Sequence, residues 1–319
     1  MRNSESRLAI SAVLITLCFM GGVAEVASAA GMASLLFPEL AALSYDVFVR
    51  PHGTWARAPL MLTLTPAVTA MLGVFVSRHL PYSAASIAIC IVGAIAILRV
   101  MRSPVAPAIS SCILALSLGE RSWWYPISIL IGTGMLAVLA AVYRIVFDTA
   151  ASHLAPSVDD QLKNELEALP DQFVWAPFFA LFLSTTYLLS TATGMKMLLF
   201  PPLVVIAFEM FAHANVCPWA QRPAMLPAVC TLAAVVGVAA LATFGPGVIS
   251  TLLATLFGIV MLRMTRLHAI PALAVGLLPQ VMPQVDWRFP LAVGMGSALL
   301  TMSFLLFKKA STLGRSVAQ

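Results

Sequence analysis

Charge is scarce in this chain. Only 10% of its residues are Asp, Glu, Lys or Arg, against about 25% in a soluble domain, while 61% are hydrophobic. That balance excludes an ordinary water-soluble domain and argues for a polytopic membrane protein with the lipid bilayer as its first partner. No CxxC occurs, and four of the five cysteines (Cys18, Cys90, Cys112, Cys217 and Cys230) lie within apolar runs. They read as small packing residues, which argues against a disulfide framework or a cysteine metal site. HExxH, GxSxG and Gly-x4-Gly-Lys are all missing. The chain therefore reads as a non-enzyme without a cofactor, and a gradient rather than ATP would drive any transport. Its net charge of +5 is not gathered into a basic block interleaved with aromatics, so nucleic acid is not an expected partner.

What the chain has in quantity is long apolar sequence. A spanning helix needs roughly 20 apolar residues. Twelve apolar segments occur, at 8–29, 31–48, 58–77, 80–98, 104–118, 123–146, 173–192, 194–211, 223–243, 246–262, 268–283 and 289–307. The fifth and eleventh are the shortest, and each is broken by proline near its start. The first follows Arg2 and Arg7 and runs directly into further apolar sequence, so it reads as an uncleaved helix rather than a signal peptide.

The two halves repeat. "GMASLLFPEL" (31–40) matches "GMKMLLFPPL" (194–203), and "YDVF" (45–48) matches "FEMF" (208–211), pairing Asp46 with Glu209. Trp55 matches Trp219, Gly73 matches Gly237, and Trp123 and Pro126 match Trp287 and Pro290. Arg99, Arg102 and Pro107 match Arg263, Arg266 and Pro271. Trp, Arg and Pro landmarks in register point to a duplicated unit. The predicted organisation is a first membrane repeat over 1–148, a polar cytoplasmic linker over 149–171 and a second repeat over 172–319. In the linker, Ser157 with Asp160 reads as a capping box. Val158, Leu162, Leu166 and Leu169 recur at helical spacing, as in a short amphipathic helix or a regulatory contact.

Basic residues set the orientation. If all twelve segments cross with the N-terminus inside, fourteen of the eighteen Lys and Arg residues are cytoplasmic. If the fifth and eleventh are re-entrant, only eleven are. The positive-inside rule selects the first arrangement. The predicted fold is thus an all-α polytopic bundle of two six-segment parallel repeats with short, proline-broken helices, both termini cytoplasmic, in the cell inner membrane. Trp123, Trp124, Tyr125 and Trp287 would form an outer aromatic belt, with Trp55 and Trp219 at the inner interface.

Two features bear on function. Proline tolerates a helix start because first-turn N–H groups lack helical partners, and those donors with the helix dipole favour an anion. Arg99 and Arg102 precede one such start at Pro107. Arg263, Arg266 and His268 precede the other at Pro271. Guanidinium groups suit small oxyanions. These seven residues are the candidate binding set; the same arginines could equally serve as orientation signals. The acids Glu25, Glu39, Asp46 and Glu209 lie in or beside apolar segments, where ionisable groups are functional suspects. Asp46 and Glu209 could pair with Arg50, Arg57 or Arg222. Glu25 and Glu39, aligned with Leu188 and Pro202, are candidates for proton coupling.

The order of landmarks resembles the HPP family of integral membrane proteins. "GMASLLFPEL" and "GMKMLLFPPL" look like its first helix and "PWAQRPAML" (218–226) like its loop. "SPVAPAISSCILAL" (103–116) and "LHAIPALAVGLL" (267–278) fall where its His-Pro-Pro signature belongs. The resemblance implies secondary transport of a small anion such as nitrite. The alternative is a non-transporting membrane interaction or assembly subunit. Homo-oligomerisation is left open.

Overall fold

The computed structural model describes residues 2–151, 164–166, 170 and 173–317. Among them every regular element is a helix. The first half runs α1 (Arg2–Ala30), a 3-10 turn (Ala33–Leu35), α2 (Glu39–Val49), α3 (Thr54–Arg57), α4 (Pro59–His79), α5 (Ala84–Met101), α6 (Ala108–Leu118) and α7 (Trp124–Ala151). The same order recurs as α8 (Ala176–Thr193), a 3-10 turn (Lys196–Leu199), α9 (Pro201–Ala212), a 3-10 turn (Pro218–Gln221), α10 (Leu226–Phe244), α11 (Val248–Thr265), α12 (Ala272–Val281) and α13 (Arg288–Val317).

Eight of these helices are long and apolar enough to cross a membrane, namely α1, α4, α5, α7, α8, α10, α11 and α13. The other four apolar segments form the short helices α2, α6, α9 and α12, each preceded by a non-helical or 3-10 stretch. Proline places each start. Pro38, Pro107 and Pro271 are the N-caps of α2, α6 and α12, and Pro201 opens α9. Proline cannot donate a backbone hydrogen bond, and at a helix start none is required.

Burial separates the two classes of helix. Along α6 and α9 every residue from Ala108 to Ser117 and from Pro201 to Phe211 is buried. The long helices instead turn Leu60, Phe75, Val92, Val138, Leu181 and Leu306 outward, as lipid-facing helices do. The halves meet through the short helices, α2 on α12 and α6 on α9, and through the long pair α1 and α11.

Glycine permits the closest approaches. A β-carbon on Gly73 of α4 would sit 2.5 Å from the Cys112 carbonyl oxygen and 2.9 Å from the Ala115 β-carbon of α6. At the equivalent place in the second half, one on Gly237 of α10 would overlap the Gly276 carbonyl of α12. Contacts also rise together along α4 and the chain through α6: Thr65 meets Ser103, Thr69 meets Ser111, and Gly73 meets Cys112 and Ala115. Residues 103–118 therefore run beside α4 in the same direction.

Three aromatics differ from the expected interfacial belts. Trp55, Trp219 and Tyr125 are buried because their polar atoms find internal partners: Trp55 donates to the Pro104 carbonyl (2.9 Å), Trp219 to the Ile206 carbonyl (3.5 Å) and Tyr125 to the Ser111 carbonyl (2.9 Å). Trp123, Trp124 and Trp287 are exposed. Of the expected linker helix, Ser157, Val158, Asp160, Leu162 and Leu169 lie outside the described residues, and Leu166 is buried.

Candidate functional site

A seam of hydroxyl groups crosses the first half where α4, α6 and α7 meet. Thr65 donates to Ser103 (2.8 Å), and Thr69 bonds the Ala108 carbonyl (2.7 Å) and the Ser111 hydroxyl (2.7 Å). Ser111 also reaches the Pro66 carbonyl (2.8 Å). Its neighbour Ser110 donates to the Oε1 of Glu39, the first residue of α2. Glu39 is 1% exposed, and its Oε2 has no hydrogen-bond partner among the described residues.

The second half lacks this seam. At the equivalent positions Thr65, Ser103, Thr69, Ser110, Ser111 and Tyr125 become Val229, Leu267, Ala233, Ala274, Val275 and Phe289, and Glu39 becomes Pro202. The helix order is repeated without the polar groups.

Cavities flank α2 at both ends. A wide one, about 390 Å³, is lined by Phe37, Pro38, Leu114, Leu118, Trp124 and Tyr125 and reaches the residue next to Glu39. A narrow one, about 20 Å³, is lined by Arg50, Trp55, Glu209, Trp219, His268 and Pro271. That is room for about one water. Arg50 caps α2 at its C-terminal end, so the narrow cavity and Glu39 are separated by the length of α2, ~16 Å at 1.5 Å per residue.

Beside the narrow cavity Arg50 grips Asp46 through two bonds, Nε to Oδ1 (2.8 Å) and Nη2 to Oδ2 (2.6 Å). Both residues are buried, as is Glu209. The spacing of four places acid and base on one helix face, with the acid nearer the N-terminus.

The four candidate arginines line none of these cavities. Arg102 and Arg266 are exposed and end α5 and α11 in the left-handed conformation, at φ 50° and 52°. At the first of these ends, Arg102 N–H bonds the Arg99 carbonyl (3.1 Å) and Ser103 N–H the Leu98 carbonyl (2.9 Å), closing the helix. Arg99 bonds the Pro170 carbonyl and lies over the Phe173 ring (4.4 Å), tying α5 to the start of the second half. Arg263 is exposed and donates to the Tyr45 hydroxyl (3.2 Å). His268 is exposed at φ 49° and borders the narrow cavity together with Pro271. Pro107 is buried. Among the acids, Glu25 is exposed on α1, whereas Glu39, Asp46 and Glu209 are enclosed.

First-turn donors, expected to be open to a ligand, are occupied by turn bonds. Ile109 and Ser110 N–H bond the Ala106 and Pro107 carbonyls (3.0 and 3.0 Å), and Leu40 N–H bonds Phe37 (2.9 Å). In α12, Leu273 and Ala274 bond Ile270 and Pro271 (3.0 and 3.2 Å). The enclosed polar groups beside these helix starts are thus side chains, Glu39 and the hydroxyl seam. Ser110, Ser111 and Thr69 were not singled out by sequence reasoning, and Tyr125 was read only as a member of an aromatic belt. A small hydroxyl in an apolar run reads as a packing residue, and only the pairing of Glu39 with Pro202 marked this place.

No protein-family model matches the chain, and no match is found among curated proteins or solved structures.

Proposed function

We propose that the protein is a membrane secondary transporter of a small solute, with a single polar site in the first half of a doubled scaffold. The observation that carries this reading is the buried Glu39–Ser110 contact at the starts of two short helices, beside a wide cavity and one helix length from a narrow one. Membrane-embedded polar groups of this kind are costly and mark solute or ion paths. Broken helices at mid-membrane are a recurrent way to build such paths.

In this reading each short helix and the stretch leading into it make one crossing, so each half has six segments and the copies are parallel. The shared direction of residues 103–118 and α4 supports this. The helix of α6 alone covers ~16 Å of a ~30 Å core, and the approach from Ser103 supplies the remainder. The distribution of basic residues places both termini in the cytoplasm and the wide cavity outside. The cell inner (plasma) membrane is the location assigned. The solute class, a small anion with nitrite first among those to test, follows from the resemblance to the HPP family.

Purified full-length protein in liposomes, offered a panel of small anions including nitrite, is expected to show saturable uptake above protein-free vesicles, increased by an inward proton gradient. Flux no greater than in empty vesicles for every anion, from correctly folded protein, would overturn the carrier and leave a membrane assembly subunit.

A further inference from the structure

We infer that the Glu39 carboxyl, bonded by the Ser110 hydroxyl where α2 and α6 begin, is an enclosed proton-binding site one residue from the wall of the wide cavity. Its part in coupling rests on the carrier reading above; the binding itself does not.

Three observations converge on it. First, the carboxyl is enclosed with one oxygen held by Ser110 and the other unpartnered among the described residues. A lone carboxylate in an apolar interior is costly, and a bound proton removes the charge without requiring a cation. Second, Phe37 and Pro38, immediately before Glu39, and Tyr125 line the wide cavity. The wide cavity therefore comes within one residue of the enclosed group. Third, the fold does not need an acid here. The second half builds the same junction with Pro202, Ala274 and Phe289 in place of Glu39, Ser110 and Tyr125. A carboxyl serving only to hold α2 in place would have no reason to differ from a proline that does the same.

The surrounding titratable groups leave Glu39 without a basic neighbour among the described residues. Tyr125 on α7 is within electrostatic reach of it, and Cys112 lies on α6. On the other elements packed against α2 and α6, Glu25 and Cys18 of α1 are exposed, Cys90 of α5 is buried beside Cys112, and α12 carries no titratable side chain. The basic residues Arg57, Arg78, His79 and Arg99 sit at the ends of α3, α4 and α5. Arg50 is committed to Asp46 at the far end of α2, and Glu209 lies near the end of α9, beside the same narrow cavity.

A hydrophobic carbodiimide tests this directly. It reacts with a protonated carboxyl in an apolar setting: the acid proton moves to a carbodiimide nitrogen, the carboxyl oxygen bonds the central carbon, and an acyl shift leaves a stable N-acylurea. Intact protein in liposomes is treated with dicyclohexylcarbodiimide, and the modified residue is located by peptide mass in the wild-type chain. Glu39 is expected to be labelled, with a rate falling about tenfold per pH unit above its titration midpoint. Glu39→Gln is expected to lose that label, while Glu209→Gln keeps it. Because the site is read from the wild-type peptide, the result holds even if Glu39→Gln folds poorly. No label on Glu39, a pH-independent rate, or protection by sodium at constant pH would each overturn the inference. Labelling does not depend on solute flux, so a silent transport assay leaves a positive label intact, and saturable flux with an unlabelled Glu39 removes this inference alone.

Discussion

Gly237→Leu is expected to abolish recovery of folded protein, the largest effect of any single substitution considered for this chain. A β-carbon at Gly237 already overlaps the Gly276 carbonyl, and both neighbours belong to backbone that cannot rotate away. Inserting one or two methylene-sized groups into a well-packed core costs about 1–3 kcal/mol. Alanine at Gly237 should fall within that range and lower the melting temperature in detergent, whereas leucine should separate α10 from α12 altogether. Gly22→Leu is the control, since nothing lies within 4 Å of a β-carbon there. Size-exclusion profiles of the two variants decide the matter. A monodisperse Gly237→Leu with wild-type melting would mean that α10 and α12 do not approach as described. Gly73, at the same position in the first half, and Gly296, whose β-carbon would sit 2.1 Å from the Leu198 carbonyl oxygen, should be sensitive for the same reason.

Removing Arg50 is expected to cost about 3–5 kcal/mol, the range for leaving one member of a buried ion pair uncompensated. Arg50 and Asp46 have side chains only 5% and 2% exposed, and both oxygens of Asp46 are engaged by the guanidinium. Arg50→Ala strands that carboxylate beside Glu209, which borders the same narrow cavity. The double variant Arg50→Ala/Asp46→Asn removes the stranded charge as well. It should recover part of the loss, and the cycle should show strong coupling in thermal melts. Equal melting temperatures for the single and double variants would show that the pair does not hold α2 to its surroundings.

Much of this architecture could be read along the chain. Apolar runs near 20 residues with few charges state a membrane bundle without further information, because lipid rewards the same composition at every position of a crossing helix. Pro107 and Pro271 marked where two of the short helices begin, since the missing N–H acts on the local backbone alone, whereas the short helices at Pro38 and Pro201 were not read from the sequence. The pairing of Asp46 with Glu209, and of Glu39 with Pro202, was likewise visible from the register of the two halves.

The roles of the charged residues were less legible. Two arginine pairs at matching places looked like a symmetric binding device, yet Arg102 and Arg266 end helices in a conformation usually given to glycine, and Arg99 ties α5 to Pro170 and Phe173. A sequence states that a charge is present and roughly where along a helix it lies. It does not state the direction in which the side chain leaves a turn of unusual backbone conformation.

Taken alone, the sequence determined the helical membrane character, the doubled order of landmarks and the starts of two short helices, all of which depend on residues close together in the chain. Only the tertiary structure decided that Glu39 meets Ser110, that Arg50 takes Asp46, and that Thr65 meets Ser103 and Thr69 meets Ser111. Glu39 and Ser110 are 71 positions apart. Their meeting depends on how the starts of α2 and α6 pack together, a long-range outcome that no local pattern encodes.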